Sequence, residues 1–182
     1  SGTGDGYRER AASVLEAVQG AWDQRRSLFR DSPDTVSFSQ QTNVLAILTD
    51  AAPASEQREL MQRVLTDTTL TRASYYFGLY VLEALRKAGL AEQHVDQLAP
   101  WRTMLALGLT STPENPEPTR SDTHAWAAHP NYGLLATVLG VRPSSPGSPA
   151  PSGTTTGARS AGRRAPGSAG RAPGRRRRYC RP

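Results

Sequence analysis

Apolar residues recur at three- and four-residue spacing along most of the chain, from about residue 7 to residue 142. This period is typical of helices with one buried face. No stretch longer than about four residues alternates convincingly between apolar and polar positions, so strands are not expected. We therefore predict an all-α domain built from helical hairpins with short connections.

Proline, glycine and short polar clusters divide this pattern into six predicted helices. Their approximate bounds are 7–29, 38–49, a third beginning with Ser55 as N-cap, 74–87, 91–107 divided near Pro100, and 130–140. The second contains the apolar run 44–48, which favours an inner helix packed on all sides. Gly89 and Gly140 follow helices at positions where glycine commonly ends them.

Composition changes sharply after residue 143. Residues 144–182 contain nine arginines, no acidic residue and the chain's one cysteine, Cys180, among Gly, Pro, Ser, Ala and Thr. Such a segment has too little apolar surface to offset the entropy of ordering, so we predict disorder. The whole chain has a net charge of +6, whereas residues 1–143, with 13 basic and 16 acidic residues, have a net charge of −3.

Several classes of function find no support in the sequence. His94, His124 and His129 lack Cys or carboxylate partners at metal-ligand spacing, and there is no phosphate-binding glycine loop, so we expect no metal and no cofactor. No apolar run approaches the length of a membrane span. Residues 175–178 could contact phosphates, but the acidic domain offers no basic face, so nucleic acid is not an expected partner. The sequence does not indicate the cellular compartment of the protein.

Three stretches carry a family resemblance. They are 38–43 (FSQQTN), 74–77 (SYYF) with 83–85 (EAL), and 108–114 (GLTSTPE) followed by 120–130 (RSDTHAWAAHP) and 140–143 (GVRP). Over roughly residues 7–147 the chain resembles the end of the catalytic domain of bacterial alpha-L-rhamnosidases. The resemblance implies that residues 1–143 are the C-terminal half of an (α/α)6 barrel of six helical hairpins, whereas the disordered tail over 144–182 is predicted from composition.

The same resemblance implies an inverting glycosidase that removes terminal alpha-L-rhamnose from glycosides or glycans. In such enzymes one carboxylic acid protonates the leaving oxygen, and a second carboxylate activates water on the opposite face of the sugar. Glu114 aligns with the family's base. The family's general acid lies in the first half of the barrel, outside this chain, so the missing N-terminal half is an expected partner.

Each candidate residue also has a structural interpretation. Without the motif, Glu114 would be a solvated loop charge. His124 and Trp126 either contact the sugar or pack locally. His129 is expected to be structural, His94 to lie on a helix surface, and Tyr75, Tyr76 and Tyr80 to pack in the core.

Two alternatives to a rhamnosidase remain at this point. Another glycosidase on the same barrel is the closer one. The more distant one is a non-enzymatic helical binding module whose basic tail contacts nucleic acid or an acidic surface.

Overall fold

The computed structural model describes residues 2–115, 121–143, 145 and 151–153 of the chain. The α-helices are α1 (Gly2–Gln19), α2 (Gln40–Leu48), α3 (Gln57–Thr66), α4 (Gly78–Lys87), α5 (Ala99–Ala106) and α6 (Pro130–Gly133). Single 3₁₀ turns lie at Ala91–Gln93, Asp96–Leu98 and Ala125–Ala128, and a π-helical turn at Leu134–Val138 continues α6. The described part is mostly helical, as the sequence predicts.

Two short antiparallel strand pairs were not predicted. The first joins β1 (Trp22–Asp23) to β2 (Leu28–Phe29), and the second joins β3 (Val141–Pro143) to β4 (Pro151–Gly153). The prediction of one helix over 7–29 is therefore wrong. Helix α1 ends at Gln19, and Ser27, with a φ of 51°, turns the chain back. The apolar positions 22 and 29, which look helical in spacing, instead face each other across the hairpin, with ring centroids 4.8 Å apart.

The core lies mainly between α2 and α4. Val44, Ala46 and Ile47 of α2 are buried against Leu82 and Leu85 of α4, within a cluster that also includes Leu60, Met61 and Val64 of α3. The expectation that α2 is packed on all sides is wrong at one position. Leu45 is 45% exposed and lines a groove between α2 and α1.

The N-terminal end of α2 is fixed beside the segment that connects α3 to α4. Ser39 forms a parallel bridge with Thr71, in which the Gln40 N–H donates to the Thr71 carbonyl and the Thr71 N–H to the Phe38 carbonyl. The buried Gln40 amide donates to the Val64 carbonyl at 3.1 Å and accepts from the Ala73 N–H at 3.0 Å. Gln40 is thus a structural link between the end of α3 and the segment that leads into α4.

The predicted helix ends at Gly89 and Gly140 agree with the structure, whereas the predicted N-cap at Ser55 does not. Gly89 and Gly140 have φ values of 73° and 71°, the left-handed conformation that glycine adopts without strain. Ser55 is not an N-cap, because α3 begins at Gln57 after Glu56, which makes no side-chain capping bond.

The predicted tail, 144–182, lies outside the described residues except for Ser145 and the strand Pro151–Gly153. Its disorder stays a prediction for the remainder. Among the described helices, none combines the length and the apolar character that crossing a bilayer requires.

Candidate functional site

Glu114 lies in the loop that follows α5. This loop leaves the helix through Gly108, with a φ of 73°, and the Leu109 N–H bonds back to the Met104 carbonyl. The Glu114 backbone N–H donates to the Ser121 carbonyl at 2.9 Å. The residue is 7% exposed, so it is not the solvated surface charge that a loop glutamate usually is.

A short set of hydrogen bonds joins the two arms of the motif. The His124 N–H donates to the Thr112 carbonyl at 2.7 Å, and the Thr112 hydroxyl donates to the His124 carbonyl at 2.9 Å. The Ser111 hydroxyl also donates to the Asp122 carbonyl, at 2.6 Å. These bonds, with the one from Glu114 to Ser121, hold His124 beside the loop segment that carries Glu114.

His124 belongs to an aromatic cluster with Trp126 and Tyr76. The ring centroids of His124 and Trp126 lie 6.0 Å apart, and the Tyr76 ring lies 5.8 Å from His124 and 6.2 Å from Trp126. Trp126 is 73% exposed and Tyr76 is 37% exposed. The expectation of core packing is wrong for Tyr76 and for Tyr80, which is also exposed.

One nitrogen of His124 has a specific environment. Its Nε2 atom is shielded from solvent and has no hydrogen-bond partner among the described residues. Buried polar atoms nearly always have a partner, so this nitrogen is an exception among the described residues. Backbone bonds therefore hold the segments of Glu114 and His124 together, and the rings of Trp126 and Tyr76 lie near the His124 ring. The sequence predicted a core position for Tyr76.

A second pair of rings, those of Trp101 and His129, contacts the backbone next to Trp126 and Tyr76. His129 is buried, and its Nε2 lies 3.0 Å from the Tyr75 carbonyl oxygen. Because a carbonyl only accepts, this nitrogen carries the proton. The Trp101 indole donates to the Ala127 carbonyl at 2.7 Å, and its ring lies 5.0 Å from that of His129. Burial lowers the pKa of His129, which agrees with its expected structural role.

His94 is not on a helix surface, as the sequence suggested, but is 1% exposed. A continuous helix would have directed it outwards. The chain instead forms two 3₁₀ turns around it, Ala91–Gln93 and Asp96–Leu98, which fold the ring inwards against Gly133. Neither ring nitrogen has a partner among the described residues. Burial lowers the pKa of His94, and the nearby Glu83 carboxylate opposes this shift.

No set of three or more His, Cys, Asp or Glu side chains in the part of the chain that the structure describes could hold a metal ion. The groups of this region that are candidates for acid–base chemistry are the buried Glu114 and the imidazole of His124. Such groups are suited to proton transfer and to hydrogen bonding with hydroxyl groups.

Comparison with known proteins gives one informative result. The chain is similar in structure to the GH78 family rhamnosidase of Bacillus sp. GL1, with a TM-score of 0.66 and 24% sequence identity. The match covers 78% of this chain and 17% of that protein. No family model matches the chain, and no curated protein matches it. The similarity shows that the chain has the fold of part of a glycoside hydrolase and spans a small share of that protein's length.

Proposed function

We propose that residues 1–143 are the C-terminal half of the (α/α)6 barrel of an alpha-L-rhamnosidase, and that the tail is disordered beyond the strand Pro151–Gly153. The enzyme would remove terminal alpha-L-rhamnose from glycosides or glycans with inversion. One observation carries the proposal. A glutamate at the position of the family's base, Glu114, is buried in a loop bonded to His124, within a fold similar to that of a rhamnosidase.

Each residue has a defined task in this mechanism. Glu114 takes a proton from a water molecule, which attacks the anomeric carbon from the face opposite the leaving oxygen. A carboxylic acid about 6.5–9.5 Å away protonates that oxygen, and it belongs to the N-terminal half of the barrel. His124 donates to or accepts from a sugar hydroxyl, and Trp126 offers its exposed ring to the sugar.

The test replaces Glu114 by Gln in an enzyme whose barrel is completed by the preceding half. Turnover of 4-nitrophenyl alpha-L-rhamnoside should fall about 10²–10⁴-fold, the usual contribution of a general base, while rhamnose still binds. The matched control is Glu56→Gln, because Glu56 is an exposed glutamate before α3, away from the loop. NMR of the first product should show rhamnose of inverted anomeric configuration.

Near-full turnover by Glu114→Gln would remove Glu114 from the mechanism, and retention of configuration would exclude its role as a base. Hydrolysis of other glycosides in preference to rhamnosides would favour another glycosidase on the same fold. No observation on the described residues favours a nucleic-acid-binding module.

A further inference from the structure

Two buried histidines each lie against a glycine of a neighbouring helix. The ring of His129, which precedes α6, is so close to Gly78 of α4 that a Cβ atom on that glycine would lie 2.9 Å from Nε2. The ring of His94, from the segment after α4, is even closer to Gly133 of α6, with 2.7 Å to a Cβ atom there. Each helix thus lacks a side chain where the other element places an imidazole, and α4 and α6 are joined at two points.

Three of the four nitrogens of these rings have no hydrogen-bond partner among the described residues. They are both nitrogens of His94 and Nδ1 of His129, and all three are shielded from solvent. A neutral imidazole tolerates this state better than a charged one, because an imidazolium carries an N–H group on both nitrogens. A proton on either ring would therefore place a charged donor without an acceptor inside the protein.

Helix α6 and the π-helical turn that continues it have few other apolar attachments. Within the described part of the chain, the main core cluster takes no member from residues 130–139. The large apolar side chains of this stretch, at positions 132, 134, 135 and 139, are exposed. Its buried residues are short: Pro130, Gly133, Ala136 and Thr137. Elements with few buried apolar contacts open locally at a low free energy, so the two imidazoles have a large share in holding α6 in place.

We propose that His94 and His129 form an acid-sensitive clamp between α4 and α6, which releases α6 and the π-helical turn when the rings bind protons. This inference is independent of the proposed function, since it concerns the attachment of a helix and not a substrate. The clamp also affects the loop that carries Glu114. His129 holds the end of that loop to the segment before α4 through the Tyr75 carbonyl, so opening of the clamp frees that end.

The charges around His94 do not compensate for a proton on its ring. Glu83 of α4 favours the protonated form, but this carboxylate already pairs with Arg86 at 3.0 Å and with Arg142 at 2.9 Å. Burial has the larger effect and lowers the pKa of His94. On its own segment, Glu92 pairs with Arg58 and Asp96 is exposed to solvent.

The surroundings of His129 also disfavour its charged form. Burial lowers the pKa of His129, the bond to the Tyr75 carbonyl opposes this shift, and a charge on His94 adds to it. The charged side chains nearest in sequence to its neighbours Tyr75 and Trp101 are Arg72 and Arg102, which are positive and exposed. Protonation of one ring therefore makes protonation of the other harder while the clamp is closed, and opening relieves both.

Amide hydrogen exchange of the full ¹⁵N-labelled chain at pH 7.5 and pH 5 tests the clamp, with each rate divided by that of an unstructured peptide at the same pH. The probes are the amides of Gly133 and Leu139, which bond to the carbonyls of His129 and Leu134. The reference is the amide of Ala52, which is 1% exposed in the core and bonds to the Ala46 carbonyl.

At pH 5 both probe amides should be at least about tenfold less protected than the Ala52 amide, because α6 opens without the core. Between the two pH values, the protection of the probes should fall by up to about 30-fold for each histidine. This limit follows because a histidine in the open state has its ordinary pKa of about 6.5, which is about 1.5 units above pH 5.

Two variants assign the effect to the clamp. His94→Leu should reduce the fall in protection at the probes to the share of His129. His124→Gln is the matched control, because His124 is the third histidine of the chain and its ring contacts Tyr76 and Trp126. It should keep the response of the parent chain. Similar protection of Ala52 at pH 7.5 in each variant shows that the core is intact.

The parent chain alone decides the proposal if a variant does not fold. Equal protection of the probes and the Ala52 amide at pH 5 would mean that the chain opens only as a whole. Protection of the probes that does not fall between pH 7.5 and pH 5 would mean that opening binds no proton. Either result would overturn the clamp, as would a full response in His94→Leu or the loss of the response in His124→Gln.

Discussion

The imidazole of His94 lies against Gly133 so closely that a Cβ atom on that glycine would come within 2.7 Å of two ring atoms, Cε1 and Nε2. Gly133 is the last residue of α6 and has an ordinary helical φ of −61°. The glycine is therefore required for space and not for backbone conformation. It lets the turn that carries His94 pack directly on α6, which follows the loop that contains Glu114.

Gly133→Ala should destabilise the chain by about 1–3 kcal/mol, because the buried ring cannot move into solvent and must displace its neighbours. Urea unfolding would measure this loss. The control is Gly6→Ala in α1, where nothing lies within 4 Å of the added Cβ and helix propensity alone should stabilise by up to about 1 kcal/mol. A Gly133→Ala chain as stable as its parent would show that His94 does not pack in this way.

Stability should fall as the pH decreases below about 6.5, the ordinary pKa of histidine. Burial lowers the pKa of both His94 and His129 in the folded chain, so below this pH the unfolded chain binds more protons. Well above pH 6.5 both rings are neutral in either state, and their contribution to stability is fully present. Glu83, which faces His94 and is paired with Arg142, reduces the effect without reversing it.

Urea unfolding between pH 7.5 and pH 5 would measure this dependence, at most about 1.4 kcal/mol per pH unit for each histidine. His94→Leu should reduce the slope, because only His129 then remains to titrate. An identical slope in the variant would exclude His94 as a source of the pH dependence.

The tail should be dispensable for the folded domain. Its composition predicts that the amides of residues 154–182 exchange as fast as those of an unfolded chain. Deletion of these residues should leave the melting temperature unchanged, since the strand Pro151–Gly153, which pairs with β3, is retained. Protected amides within 154–182, measured by hydrogen exchange, would contradict the prediction of disorder.

The isolated chain should have no useful rhamnosidase activity. Inversion requires two carboxyl groups across the sugar, and the proposed acid belongs to the other half of the barrel. 4-Nitrophenyl alpha-L-rhamnoside, whose leaving group needs acid assistance least, is the most sensitive substrate. Turnover comparable to that of an intact rhamnosidase, by residues 1–143 or by the whole chain, and its loss in Glu114→Gln would show that this chain holds a complete site.

Much of the fold could be predicted from apolar spacing, because the helices that bury one face show the expected period. Apolar spacing gave the wrong prediction at Trp22 and Phe29, because a hairpin pairs two residues that would also lie on one face of a helix. It failed at His94 for a related reason. Two 3₁₀ turns change the direction of a side chain without changing the order of apolar and polar residues.

The candidate site could be predicted only in part. The motif predicts Glu114, His124 and Trp126 as site residues, since they lie close together in the sequence, and this stays a prediction. Tyr76 is 48 residues before His124 and belongs to a run of aromatic residues typical of a core. Only the packing of the segment before α4 against His124 and Trp126 shows that its ring faces outwards.

The buried amide of Gln40 makes the chain sensitive to deamidation or substitution by Glu at this position. Its nitrogen faces a carbonyl oxygen and its oxygen faces an N–H, so both halves of the amide are in use. A single-base change to Glu, or slow deamidation, would replace the nitrogen by an oxygen that repels the Val64 carbonyl. It would also place an unpaired negative charge in the core. Glutamate has nearly the same size as glutamine, yet the change would destabilise the contacts that Gln40 makes with α3 and with the segment before α4.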